Sequence, residues 1–268
     1  MANKKRKITR YPDVCEQINP LRGLTLREDA LVKALLTYEN AAYGIWLYNG
    51  DCLEILDDIA AKHPGSCFDC IFADPPYFLS NGGITCHAGR MVKVDKGDWD
   101  KSRGPEENHN FNRAWLERCQ RVLKPNGTIW VTGTHHVIFS VGYAMQQLGF
   151  KILNDIAWEK PNPPPNLSCR YFTHSTETVL WAAKNEKSRH IFNYAAMKSV
   201  TGKQMKTVWT MTAPKNGEKA LGKHPTQKPL ALIERCLIAA TNEGEFVLDP
   251  FLGNGTTAVA CTGLKRHC

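Results

Sequence analysis

An apolar run, Phe68-Asp69-Cys70-Ile71-Phe72-Ala73, stops abruptly at Asp74-Pro75-Pro76-Tyr77. A run this apolar reads as a strand buried on both faces, as in a parallel sheet covered by helices. The tetrapeptide then sits at the carboxyl end of that strand. In open α/β sheets, ligands bind in the crevice beyond those ends.

The rest of the chain agrees. Strands are predicted over 45–48, 68–73, 128–132, 152–158, 178–182 and 246–248. Helices are predicted over 52–61, 111–123, 137–148, 229–241 and 256–264. Strand–helix alternation argues an α/β fold, a doubly wound, mainly parallel sheet with helices on both faces. Ahead of it, residues 24–40 have helical spacing, with Leu31, Leu35 and Leu36 on one face beside Val32. The first residues carry Lys4-Lys5-Arg6-Lys7, a basic extension.

The tetrapeptide suits one kind of chemistry. An amine on an aromatic base is a poor nucleophile because its lone pair is delocalised into the ring. Hydrogen-bond acceptors for its N–H groups localise that pair. Asp74 offers a carboxylate, and the stiff Pro75-Pro76 segment can aim a carbonyl. Tyr77 offers a face for stacking a base taken out of a duplex. The competing reading is a plain turn, since Asp and Pro are turn residues.

A second motif is Asp249-Pro250-Phe251-Leu252-Gly253-Asn254-Gly255-Thr256-Thr257. Strand, glycine turn and helix start are how doubly wound folds hold a nucleotide-like cofactor. The free N–H groups of the helix start suit a carboxylate. Asp249 can pair with a ligand ammonium, or merely start the turn.

Together these motifs resemble the amino-DNA methyltransferases that use S-adenosylmethionine (SAM). Their order, catalytic motif first, resembles the circularly permuted β group, and the motifs are similar to those of second adenine methylases of Dpn-type restriction systems. Supporting stretches include Tyr48-Asn49-Gly50-Asp51-Cys52, Gly97-Asp98-Trp99-Asp100 and His224-Pro225-Thr226-Gln227-Lys228-Pro229. The resemblance implies a Rossmann-like SAM-dependent fold and adenine N6 methylation, in GATC or, as in similar enzymes, GANTC. N4-cytosine methylation, a non-catalytic DNA-binding remnant, and methylation of RNA or a protein amide stay open. It implies Asp74, Pro75, Pro76 and Tyr77 as catalytic. It implies Asp51, Cys52, Asp74, Thr226, Lys228, Asp249, Pro250, Phe251, Gly253, Asn254, Gly255, Thr256 and Thr257 around SAM. A homodimer, a companion endonuclease and a bacterial or phage cytoplasmic setting follow by the same likeness.

DNA is the expected partner. A net charge of +8 suits a polyanion. Residues 184–223 read as a basic target-recognition insertion carrying Lys187, Arg189, Lys198, Lys203 and Lys206, with Phe192, Tyr194 and Trp209 interleaved. Residues 80–110 read as a mobile loop, with Trp99 as a wedge or a core anchor. Asn166, Ser168 and Arg170 are candidate DNA contacts. Ten cysteines without a repeating spacing suit free thiols, and Cys67 and Cys70, on opposite strand faces, make no metal site. At Cys268 the family continues into a strand carrying an acidic ribose ligand and a last helix. The expectation is therefore weak SAM binding, with the 256–264 helix poorly packed.

Overall fold

The computed structural model describes residues 35–80, 84–87, 90–93, 97–214, 216–219 and 227–268. In chain order the elements begin with β1 (Leu35–Asn40), β2 (Ile45–Asn49), α1 (Cys52–Lys62), β3 (Phe68–Ala73), β4 (Ile84–His87) and β5 (Arg90–Lys93). Then follow α2 (Pro105–Val122), β6 (Leu123–Gly133), α3 (Ile138–Gln147), β7 (Lys151–Glu159) and β8 (Thr176–Ala183). The chain closes with α4 (Tyr194–Thr201), β9 (Val208–Thr210), α5 (Leu230–Ala240), β10 (Val247–Leu248) and α6 (Thr256–Leu264).

A six-stranded sheet runs in the order β10-β3-β6-β8-β7-β9. Pairing is parallel from β10 through β3 to β6 and between β7 and β9. Strand β8 is antiparallel to both its neighbours. The expected α/β sheet is therefore present, mainly parallel with one reversed strand.

Both faces are buried. Phe68, Ile71 and Ala73 of β3 pack into one core with α1, α2 and α3, through Leu56, Ile59, Trp115, Leu116, Val141 and Met145. Cys70 and Phe72 point the other way, into a core with α5 and α6 through Leu232, Ile233, Cys236 and Cys261. This two-sided burial is why β3 reads as a continuous apolar run. Cys67 and Cys70 fall into the two different cores, as strand alternation requires. Burial pushes each thiol up to about 12.

Four expectations are corrected. Residues 35–40 are not helical: β1 forms a hairpin with β2, pairing Leu36 with Tyr48 and Asn40 with Ile45. Cross-strand pairing overrides the helical spacing there, and residues 24–34 lie outside those described. At the hairpin turn Gly44 has φ +66°, and a Cβ would meet His267 Nδ1 at 1.9 Å, so only glycine fits. Residues 80–110 are not one loop, because they contain the β4–β5 hairpin, a 3₁₀ turn at Asp98–Asp100 and the start of α2 at Pro105. Proline at the first helical turn costs no hydrogen bond.

The basic stretch after residue 184 holds α4 and β9, and Trp209 is a core residue 6.2 Å from Trp130, not a surface ring. Helix α6 is well packed: Ala260 and Cys261 are fully buried against α5. Beyond it, the His267 carbonyl accepts the Val247 N–H (2.8 Å) and the Cys268 carbonyl accepts the Trp46 N–H (2.8 Å). These residues thereby tie β10 to β2. Among the described residues no helix is long and apolar enough to cross a membrane.

Candidate active site

The carboxyl edge of the sheet collects polar side chains from four consecutive strands. Asp74 follows β3, Thr132 lies near the end of β6, Glu177 is near the start of β8, and Lys160 follows β7. The reversal of β8 matters, because it brings that strand's first residues to the edge where its neighbours end.

Asp74 is held from three sides. Its Oδ1 accepts hydrogen bonds from Tyr77 Oη (2.8 Å) and Thr132 Oγ1 (2.5 Å), and its Oδ2 accepts from Lys228 Nζ (2.7 Å). Glu177 Oε2 stands 3.3 Å from the Tyr77 hydroxyl and 3.8 Å from Lys228 Nζ, while Oε1 is paired with Lys160. Two carboxylates thus share two ammonium groups.

Burial by itself would lower Lys228, but the Asp74 and Glu177 charges raise it above the ordinary lysine value. Burial would likewise raise Glu177, but Lys228 and Lys160 hold it below the usual carboxylate range. Burial, followed by the two carboxylate charges, pushes the Tyr77 phenol well up, so it stays a hydrogen-bond donor.

In this structure Tyr77, the stacking face expected from the sequence, is covered. The residue is 6% exposed, and Lys228 Nζ lies 5.1 Å from the ring centroid. A buried tyrosine must satisfy its hydroxyl, and here Asp74 and Glu177 draw it inward.

The backbone after Tyr77 is fixed by Asp100, which sequence reasoning did not single out. This buried carboxylate accepts the N–H groups of Tyr77 (2.9 Å), Phe78 (2.8 Å) and Leu79 (3.2 Å) and the Ser80 hydroxyl (2.9 Å). It stabilises Phe78 at φ +58°, a conformation uncommon for a bulky residue. Its signal was its place beside Trp99 in a Gly-Asp-Trp-Asp stretch, but only the fold shows what it grips.

A cavity of about 570 Å³ opens beside this cluster. Asp51, Cys52, Asp74, Pro76, Trp99, Lys228, Asp249, Phe251, Gly253, Asn254, Thr256 and Thr257 line it, so both sequence motifs meet in one place. Phe72, Arg103, Phe111, Gln227, Ile233 and Leu252 complete the wall and were not anticipated. Asp51 caps α1 by accepting the Leu53 N–H (2.8 Å). Burial, then the Asp51 charge, raises the Cys52 thiol to about 11. Asp249 accepts the Phe251 N–H (2.9 Å) and the Thr257 hydroxyl (2.5 Å), yet burial carries its carboxyl up to about 7.

Gly255, at φ +87°, caps α6 without a side-chain hydrogen bond, which leaves the helix start open. Pro250 lines a smaller neighbouring cavity of about 130 Å³. Pro75 is buried behind the edge, and Thr226 lies outside the described residues.

The DNA candidates are dispersed. Trp99, half exposed, stands at the cavity wall and is no core anchor. Asn166 organises its own turn, donating to the Tyr171 carbonyl (2.6 Å) and accepting from the Ser168 N–H (3.0 Å) and hydroxyl (2.7 Å). Ser168, Arg170, Lys203 and Lys206 are exposed and line neither cavity.

A family model described as DNA methylase matches residues 68–268. The Type II methyltransferase M2.DpnII of Streptococcus pneumoniae is 61% identical over 209 residues, 77% of this chain and 78% of that protein. M2.LlaDCHI of Lactococcus lactis subsp. cremoris is 57% identical, covering 82% of this chain and 81% of its own length. M2.MboI of Moraxella bovis is 48% identical, covering 82% and 80%. Among solved structures, the M1.HpyAVI–SAM complex aligns with TM-score 0.62 and 30% identity, covering 83% of this chain and 90% of that one.

Proposed function

The chain belongs to the N6/N4 DNA methylase family, and from that membership we infer that it transfers a methyl group from SAM to adenine N6 in DNA, at GATC. It is a SAM-dependent DNA methyltransferase. The observation that carries the finer reading is that Asp74 and the glycine loop line one cavity. Adenine is favoured because the tetrapeptide begins with Asp, whereas Ser is commoner in the N4-cytosine group. The GATC site rests on the likeness to Dpn-type second methylases.

The cavity walls fit SAM. The open start of α6 with Gly253 suits a carboxylate, and the acids Asp51 and Asp249 suit an ammonium. Phe72, Phe111, Phe251, Ile233 and Leu252 give apolar surface for a purine. When bound, SAM supplies an electrophilic methyl group on its sulfonium. Asp74 accepts the amine N–H of the target base and localises the nitrogen lone pair. Thr132 and Tyr77 hold the carboxylate in place for this. Pro76 and the Asp100 staple fix the backbone so that little reorganisation is needed.

Exposed Lys187, Arg189, Lys198, Lys203 and Lys206 suit the DNA phosphates. Arg170, Ser168 and Trp99 are proposed to lie on the DNA side. A homodimer and a companion endonuclease for the same site are part of this proposal.

The test is incorporation of labelled methyl groups from SAM into GATC duplex, GATC single strand, GANTC duplex and RNA. The expected product after digestion is N6-methyladenine from GATC substrates. N4-methylcytosine, or label in RNA alone, would overturn the reading.

A further inference from the structure

One ammonium group lies against both Asp74 and the Tyr77 ring, the two groups expected to receive the target base. Lys228 Nζ is 2.7 Å from Oδ2 of Asp74, the carboxylate proposed above to accept the amine, and 5.1 Å from the centre of the Tyr77 ring. Glu177 Oε2 is a second carboxylate oxygen beside that ammonium, at 3.8 Å, and the Asp249 charge also acts on it. Glu177 lines neither cavity, and nothing in the methyl-transfer chemistry described above uses it. Its side chain is 12% exposed and is anchored at its other oxygen by Lys160. A buried carboxylate held in that way is costly to desolvate and is a fixed destination for a neighbouring cation.

We propose that Glu177 is a positioning residue that takes Lys228 from Asp74 when the base enters, freeing both the carboxylate oxygen and the tyrosine face. This rests on the adenine-methyltransferase reading. The distances favour it: a swing of about an ångström or two would make the Glu177 contact a full hydrogen bond. The charges favour it as well. Transfer would break the sulfur–carbon bond and form a nitrogen–carbon bond, leaving a neutral thioether and a cationic amine whose proton would pass to the Asp74 carboxylate. An ammonium still on Asp74 would repel that developing charge, and one drawn toward Glu177 and Lys160 repels it less. Tyr77, whose hydroxyl lies within reach of both carboxylates, can follow the same shift.

The test compares wild type, Glu177→Gln, Glu177→Asp, Lys228→Met and Glu177→Gln/Lys228→Met at saturating SAM and GATC duplex. SAM affinity is measured by titration calorimetry and folding by thermal melts. The wild type comes first: if it forms no N6-methyladenine, the functional reading fails, whatever the variants do. Given wild-type activity, Glu177→Gln is expected to lower kcat about tenfold or more while SAM affinity stays within about twofold. The double variant is expected to exceed Glu177→Gln in kcat, because removing the pinned ammonium relieves the block. Glu177→Asp, which keeps the charge and shortens its reach, is expected to fall between wild type and Glu177→Gln. It decides the matter should Glu177→Gln not fold. Wild-type kcat in Glu177→Asp or Glu177→Gln, or a double variant losing the product of both single losses, would overturn the proposal.

Discussion

Asp100 Oδ1 lies 2.9 Å from the Tyr77 amide nitrogen, across 23 residues of sequence. Through that contact and its bonds to Phe78, Leu79 and Ser80, a residue outside the Asp74–Tyr77 tetrapeptide sets the path of the chain leaving it. Stranding several buried donors should cost about 1–3 kcal/mol for each one left unmet. Asp100→Ala is therefore expected to lower the melting temperature by many degrees and to lower kcat together with stability. Asp98→Ala, two positions away and fully exposed, is expected to leave the melting temperature unchanged. Differential scanning fluorimetry on both variants checks this pair.

Asp74→Ala removes the acceptor for the amine N–H and leaves the cavity wall otherwise intact. Its kcat is expected to fall by about 10²–10⁴, the range for a positioned proton acceptor. SAM affinity should change far less. Equal methyl incorporation by the variant and the wild type would remove Asp74 from the reaction.

The Asp249 carboxyl, raised to about 7 in the fold against an ordinary 3.8, binds more protons folded than unfolded between those values. Its contribution to stability is thus greatest at low pH and is lost as pH rises through that window. Asp249→Asn should remove this loss, raising the melting temperature at pH 8 relative to wild type more than at pH 5. If Asp249 pairs with the SAM ammonium, wild-type affinity will rise from pH 6 to 8 and the variant's will not. Calorimetric titrations at the two pH values measure the difference.

Trp130 stacks on Trp181 at 4.7 Å and is 1% exposed. Trp130→Ala should cost about 3–5 kcal/mol, through lost burial and a residual cavity. Trp130→Phe should cost much less, since it keeps a large buried ring stacked on Trp181. Denaturant midpoints of the two variants report the contrast.

Much of the fold was legible because it is locally encoded. Strand β3 and helix α6 fall at the expected residues, since two-sided burial leaves a continuous apolar run and a glycine turn marks a helix start. The meeting of Asp74 with the glycine loop followed from both motifs standing at strand ends. The hairpin at β1 was misread because its apolar spacing fits two periods, and only pairing with β2 decides between them.

The sequence by itself determined the strand–helix alternation, the Asp-Pro-Pro-Tyr turn after β3, the glycine loop before α6 and the family, because each is written in short-range patterns of residue type. Tertiary structure alone decided the direction of β8, and with it the arrival of Glu177 beside Asp74 and Tyr77. It also decided that Lys228 covers the tyrosine face and that Asp100 staples the tetrapeptide. Those contacts join residues 23 to 154 positions apart, and no local periodicity records which distant partner a buried charge will find.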